Sequence, residues 1–309
     1  MLARIPSPLP PARRAYARHS RRWRFERLLW RRQVVAIALA RAAASSSLRE
    51  LDPTDPLSWS FTGFSQNGED GIIDYLTRRI SEPNQYFVEI GASDGMENNT
   101  AWLAIAKRYG GVMVEGNEAA STACHQLISG PGGLNIRVES IRLLVTRENA
   151  PALLRTALHR NPDVFSIDID GNDFYVVAAL LEAGLRPRIC AVEYNSAFGP
   201  TRCLTIEYSA EHAVDFDDVR GSLYYGVSIN AWRHFFASHG YRFVTVEASG
   251  TNAFFVDASE FDEDFTSALR GLDFQENEWQ RMRTGLGWEG QFELIANRPL
   301  VRLAGDGGP

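Results

Sequence analysis

The stretch from Gln85 to Thr100 constrains this chain more than any other. Tyr86 to Ile90 is short, apolar and β-branched, which predicts a buried strand. It runs directly into Gly91-Ala92-Ser93-Asp94-Gly95, where two glycines and an Asp let the backbone turn tightly and approach a ligand closely. Thr100 to Tyr109 then reads as a helix with Trp102, Leu103, Ile105 and Ala106 on its apolar side. Strand, glycine turn and helix form the nucleotide-binding corner of an open α/β sheet.

The ligand of that corner need not be a dinucleotide. A pyrophosphate fingerprint requires G-x-G-x-x-G, whereas here Gly91 is followed by Ser93 and Met96 fills the third slot. Glu89 sits inside the strand just before the turn, where a carboxylate repels a diphosphate and suits an ammonium group. The combination points to a nucleoside with a cationic amino-acid tail, S-adenosylmethionine. Gly111 to Glu115 reads as the next strand. Its terminal acid lies about twenty residues past the turn, where such folds receive ribose hydroxyls.

Further along, a helix is expected from Glu69 to Ile80, capped by Ser65 or Asn67. Beyond Glu115 the pattern predicts a helix over Glu118 to Ile128, a strand over Leu134 to Val138 ending at Glu139-Ser140, and a helix over Asn149 to His159. A strand then runs from Pro162 into the acidic turn Asp168-Ile169-Asp170-Gly171-Asn172-Asp173, and a helix over Phe174 to Ala183 is stopped by Gly184. A fifth strand covers Pro187 to Asn195. Residues 196–226 read as an irregular insert of the lid or binding-loop kind. Ser228 to His239 reads as a helix, and Tyr241 to Glu247 with Asn252 to Asp257 as a hairpin. Residues 261–283 read as partly helical.

Parallel strands deliver their carboxyl ends to one edge. Glu89, Glu115, Asp168, Asp170, Glu193 and Asn195 are therefore expected in one crevice, where uncompensated acids would raise one another's pKa. A cation resolves this, either the cofactor's own or a divalent metal. Asp168, Asp170, Glu193 and Asn195 are the oxygen-type set for Mg²⁺ or Mn²⁺, which would lower the pKa of a substrate hydroxyl. Without a metal, one of these carboxylates, or His212, His234 or His239, is the candidate general base. The catalytic candidates are Asp168, Asp170 and Glu193. The ordinary reading of Asp170 to Asp173 is a turn and helix cap.

Charge divides the chain. Residues 1–50 carry twelve Arg against two acids, giving +10 and leaving −16 for the rest of a chain whose net charge is −6. Residues 1–19 hold four prolines and read as loosely attached or disordered, and residues 20–45 as a basic helix. A solvated helix packed on the domain or a neighbouring subunit is the first reading of this arm. Peripheral contact with an anionic membrane is the second, and nucleic acid is the least favoured. The apolar run Val34 to Ala44 is too short for a membrane span. The three cysteines, Cys124, Cys190 and Cys203, have no metal or redox spacing, which argues for a reducing, cytoplasmic compartment, at the inner face of a membrane if the arm binds lipid. The expected division is an arm and linker over 1–56, a main domain over 57–260 and an extension over 261–309.

Four segments, Ser65 to Asp70, Phe87 to Gly95, Ser166 to Asp173 and Ala191 to Asn195, resemble the FkbM-type methyltransferases. The resemblance covers about residues 60 to 257. It implies a seven-stranded Rossmann-like methyltransferase sheet, mostly parallel with an antiparallel hairpin strand and helices on both faces. It also implies S-adenosylmethionine as donor and an oxygen on a sugar, glycan or secondary metabolite as acceptor. By position, Gly91, Asp94 and Gly95 would line the methionine part, Glu115 the ribose and Glu139-Ser140 the adenine, with Asp168 near the methyl group. Gln66, Glu89, Ala92, Asn99 and Asn117 complete the expected cofactor contacts. Ser93 departs from a glycine common in broader methyltransferases, and the first 50 residues match nothing in the family. The competing expectation is a cofactor-binding or scaffolding domain without turnover, tethered by its basic arm to a glycan-assembly complex or membrane. A nicotinamide oxidoreductase ranks third because the glycines it needs are missing.

Overall fold

The computed structural model describes residues 33–303. The expectations for residues 1–32, both the loose segment and the first part of the basic helix, lie outside the described residues. Residues 33–47 are helical (α1) and rest on the domain through Val35, Ala38 and Ala42. The contact is close because Gly63 has no side chain: a Cβ there would stand 2.8 Å from that of Ala42. Among the described residues no helix is long and apolar enough to cross a membrane.

The core is one seven-stranded sheet in the order β3-β2-β1-β4-β5-β8-β7. Its strands are β1 (Tyr86–Ile90), β2 (Gly110–Glu115), β3 (Val138–Arg142), β4 (Val164–Ile167), β5 (Ile189–Glu193), β7 (Tyr241–Val246) and β8 (Asn252–Asp257). The first five run parallel, and β8 pairs antiparallel with both β5 and β7. This is the Rossmann-like methyltransferase order, with the hairpin supplying the antiparallel strand. The buried strands are legible because both of their faces are apolar.

Alternate residues of β1 serve opposite cores. Phe87 faces α2 (Glu69–Thr77), α3 (Ala101–Ile105) and α4 (Glu118–Cys124), through Ile72, Ile73, Leu103 and Cys124. Tyr86, Val88 and Ile90 face α5 (Ala150–Leu153), α6 (Asp173–Glu182) and α7 (Ile229–Ser238), through Leu153, Val177, Leu180 and Trp232. Helices thus cover both faces, as the resemblance implies. Several are shorter than expected: α3 stops at Ile105, α5 at Leu153, and α4 passes into a π-type turn at His125–Ser129.

One expectation needs correction. Residues 196–226 are not wholly irregular. β6 (Leu204–Ile206) pairs with β9 (Leu300–Arg302), and Phe198, Ile206 and Leu223 form a third small core with Ile295. The C-terminal residues build α8 (Glu263–Ala268), α9 (Glu278–Thr284) and α10 (Trp288–Ile295). From α9, the buried Gln280 bonds Asn195, Ser196 and Tyr225.

Candidate active site

The tips of β1, β2 and β4 interlock. The N–H groups of Gly91 and Ala92 both donate to the Val114 carbonyl, at 2.9 and 3.0 Å. The Glu115 carboxylate accepts from Ser93 N at 2.8 Å and Asn117 N at 2.6 Å, so the end of β2 grips the glycine turn. Asp168 N donates to Ile90 O at 3.0 Å. Gly91, at φ 91°, lies so near the Asp168 backbone that a Cβ would overlap its carbonyl. Only glycine fits there.

Two cavities meet at this junction. The narrower, about 410 Å³ counted into its mouth, is lined by Glu69, Glu89, Glu97 and Asp168 together with Gln66, Asn67, Asn98 and Asn99; among the described residues no Lys, Arg or His faces it. Its far side is Thr251 and Asn252, at the start of β8. The broader, about 1270 Å³ counted the same way, runs past Glu115, Gly116 and Asn117, then Leu143, Leu144 and Val145, and back along Asp168, Ile169, Asp170, Asn172 and His212. Gln66, Gly91, Glu97 and Asp168 line both.

Glu89 is buried, at 2% exposure. It accepts from Asn99 N at 3.0 Å and from the Thr100 hydroxyl, so it also fixes the start of α3. Burial pushes its carboxyl up to about 7 despite those donors. Asn99 in turn donates through Nδ2 to Ser166 Oγ at 3.1 Å.

Asp168, Asp170 and Glu193 bring carboxylate oxygens within 4.8 Å of one another. Burial, followed by the neighbouring charges, raises Asp168 and Glu193 well above the usual carboxylate range. Asp170 is raised by burial and by Glu115 facing it. One Glu193 oxygen, Oε2, has no protein partner. The turn beyond is held by Asp173, which accepts from Ile169 N at 3.1 Å and Gly171 N at 3.0 Å. Asp173 thus holds the turn, no side chain caps the helix it opens, and Asp170 is left open to the cleft.

Asn195 does not join the cluster. Its amide donates to the carbonyls of Leu223 and Tyr225 at 2.8 and 2.9 Å and accepts from Ala197 N and Gln280 Nε2, both at 3.0 Å. With both ends committed it organises the floor and is unavailable as a ligand. Gln280 also donates to the Tyr225 hydroxyl at 3.0 Å, and burial, followed by the charges of Glu193, Asp170 and Asp168, raises that hydroxyl well above its ordinary value.

Other expected residues lie elsewhere. Ala92 is buried in the core. The Asp94 carboxylate accepts Met96 N and faces a separate groove beside α1, and Gly95 packs on Cys124 and Ile128. The turn has carried both past the cleft, and Ser93 and Glu97 take their places. Glu139 and Ser140 line neither cavity, because β3 spans Val138–Arg142 and its tip comes later than the expected strand end. His234 and His239 line neither cavity, whereas His212 lines the broad one. Gln66, Glu89, Gly91, Asn99, Glu115, Asn117 and Asp168 are brought together. Glu97, Asn98, Leu143 to Val145, Tyr225 and Gln280 were not foreseen.

No protein-family model matches the chain, and no curated protein matches it. Solved structures do. An O-methyltransferase from Bacillus cereus in complex with SAH is 18% identical over 72% of this chain and 89% of its own, with a TM-score of 0.41. TomG, an O-methyltransferase from Streptomyces achromogenes involved in tomaymycin synthesis, in complex with SAM, is 16% identical over 70% and 93%, with a TM-score of 0.42. Cofactor-bound Rv0187 from MTB is 18% identical over 71% and 89%, at 0.40. Likenesses this distant do not bear on chemistry, and the reading of the fold rests on the strand order and register. The resemblance to FkbM-type enzymes stays a resemblance of short motifs.

Proposed function

We propose that this chain is an S-adenosylmethionine-dependent methyltransferase acting on a hydroxyl of a sugar, glycan or secondary metabolite. One observation carries the cofactor reading: a narrow cavity lined by four carboxylates and, among the described residues, by no cationic side chain shares Gly91 and Asp168 with a cleft that Glu115 also lines. A ligand entering both must be positive at one end and offer hydroxyls towards the other. A dinucleotide pyrophosphate at the junction would face Glu97 and Asp168, which argues against a nicotinamide cofactor.

In this reading the narrow cavity takes the amino-acid tail, with Glu89 opposite the ammonium and the amides of Gln66 and Asn99 available to the carboxylate. Glu115 accepts the ribose hydroxyls through lone pairs not used by Ser93 and Asn117. Leu143, Leu144 and Ile169 offer apolar walls to adenine. Bound, S-adenosylmethionine supplies a methyl group on a positively charged sulfur. One of the pair Asp168 and Glu193, in its ionised form, receives the proton of the acceptor hydroxyl, and the chain's main contribution is to fix donor and acceptor in line. The same carboxylates fit a divalent cation: three lie within 4.8 Å, and Glu193 keeps an unpartnered oxygen. Mg²⁺ or Mn²⁺ held by Asp168, Asp170 and Glu193 would make a bound hydroxyl more acidic. A purely binding module is the less economical reading, since Asp168 and Glu193, raised and with carboxylate oxygens within 4.8 Å of each other, add nothing to tail or ribose recognition.

Isothermal titration with S-adenosylmethionine, S-adenosylhomocysteine and NADH tests the proposal. Heat is expected with the first two and none with NADH. Silence from both adenosyl ligands at high protein concentration would overturn it.

A further inference from the structure

The Ser65 to Asp70 motif is not explained by ligand contact alone. Asp70 is fully buried, and one of its oxygens, Oδ2, accepts the backbone N–H groups of Gly63, Phe64 and Ser65 at 2.7, 2.7 and 3.0 Å. The Ser65 hydroxyl returns the bond by accepting Asp70 N at 3.0 Å. Next to it, buried Glu69 accepts Asn67 N at 2.7 Å through one oxygen and Asn252 Nδ2 at 3.0 Å through the other. Every residue around Gln66 is therefore tied down. Gln66 itself is exposed, its amide has no hydrogen-bond partner among the described residues, and it lines both cavities. A loop clamped on both sides of one free amide is built to present that amide.

We infer that Asp70 and Glu69 are positioning residues for the amino-acid end of the ligand, acting through the loop that holds Gln66 between the two cavities. This rests on the cofactor reading above and specifies which half of the molecule the motif serves. The ligand chemistry is that of an α-amino acid. The Gln66 amide can donate to the carboxylate and accept from the ammonium, while neither buried acid need touch it. Adenosine is assigned to the Glu115 end of the broad cleft, where Gln66 is the only residue of the motif on the wall among the described residues.

The test compares two probes on the full chain: S-adenosylhomocysteine, and 5′-methylthioadenosine, which keeps the nucleoside and sulfur and lacks the amino-acid tail. Q66A and D70A are each expected to raise the Kd for S-adenosylhomocysteine about ten-fold, the worth of one well-placed polar contact. The Kd for 5′-methylthioadenosine should stay within about two-fold of wild type on the same scale. A general loss of structure cannot produce that split. Should D70A not fold, S65A loosens the same clamp more gently and is expected to show the split. Variants that weaken both probes equally, or leave S-adenosylhomocysteine binding unchanged, overturn the inference while leaving the cofactor reading intact. A wild-type protein that binds neither probe removes the cofactor reading, and this inference with it.

Discussion

Gly91 faces the backbone carbonyl of Asp168 so closely that a methyl group on Gly91 would overlap it. The contact joins the ends of β1 and β4 and sets the junction of the two cavities. G91A must push β4 away or distort a residue already at φ 91°, at a cost of roughly 2–4 kcal/mol. A lower thermal midpoint and loss of S-adenosylhomocysteine binding are expected, by calorimetry and titration.

Glu115 has two duties, gripping the turn and facing the cleft. E115Q keeps an acceptor oxygen but loses the charge. It is expected to weaken nucleoside binding about ten-fold, since a hydrogen bond to a charged group is worth roughly 1.5–3 kcal/mol. E115A should lose more, with some loss of stability because Ser93 N and Asn117 N lose their acceptor. Titration of both variants with 5′-methylthioadenosine checks this; equal affinity across the three proteins would remove Glu115 from the nucleoside site.

Glu89 supplies a pH prediction. Its folded pKa of about 7 lies above its ordinary value of 4.5. The folded state therefore holds the proton more tightly than the unfolded chain. The stability from this group is complete below the ordinary value and is lost as pH rises through the folded one. E89Q stays neutral throughout. The stability of E89Q relative to wild type should thus rise between about pH 4.5 and 7, by on the order of 3 kcal/mol at most, and level off above. Denaturant melts of both proteins across that range measure it, and a flat difference contradicts it.

Much of this arrangement was legible in the sequence, for a physical reason. Strands buried on both faces, such as Tyr86–Ile90 and Ile189–Glu193, must be continuously apolar, so a lone acid near the tip stands out. Glu89, Glu115 and Glu193 were found that way. β3 misled because it is an edge strand, Val138–Arg142, with charged residues outward, while the apolar neighbour Leu134 mimicked a strand start. Asp94 and Gly95 were overread because a turn's sequence does not say which side each residue leaves from. Asn195 looked like a ligand until the partner that occupies it, Gln280, was found eighty-five residues away.

Gln280 is fully buried and bonds Asn195, Ser196 and Tyr225 at once. Q280A would strand several buried polar groups, at a cost of roughly 2–4 kcal/mol. A chain ending at residue 260 should fail to fold cooperatively, despite keeping every strand of the main sheet. Chemical denaturation checks both; a stable, cooperative 1–260 fragment would show that the main sheet does not need the extension.

The three-carboxylate cluster predicts Mn²⁺ binding that depends on Glu193. One ion per chain is expected by titration, with E193A weakening it at least about ten-fold, since a ligand oxygen and a charge are both lost. An unchanged Mn²⁺ isotherm in E193A, or none in wild type, would leave Asp168 and Glu193 as a proton-handling pair only.

The central claim is that the narrow acidic cavity and the broad cleft hold two ends of one cationic nucleoside. A crystal structure with S-adenosylhomocysteine tests it most directly. The account predicts ribose hydroxyls on Glu115, sulfur beside Asp168, and the amino-acid tail between Gln66, Glu89 and Asn99. Adenosine bound away from Glu115, or a tail pointing out of the acidic cavity, would contradict it.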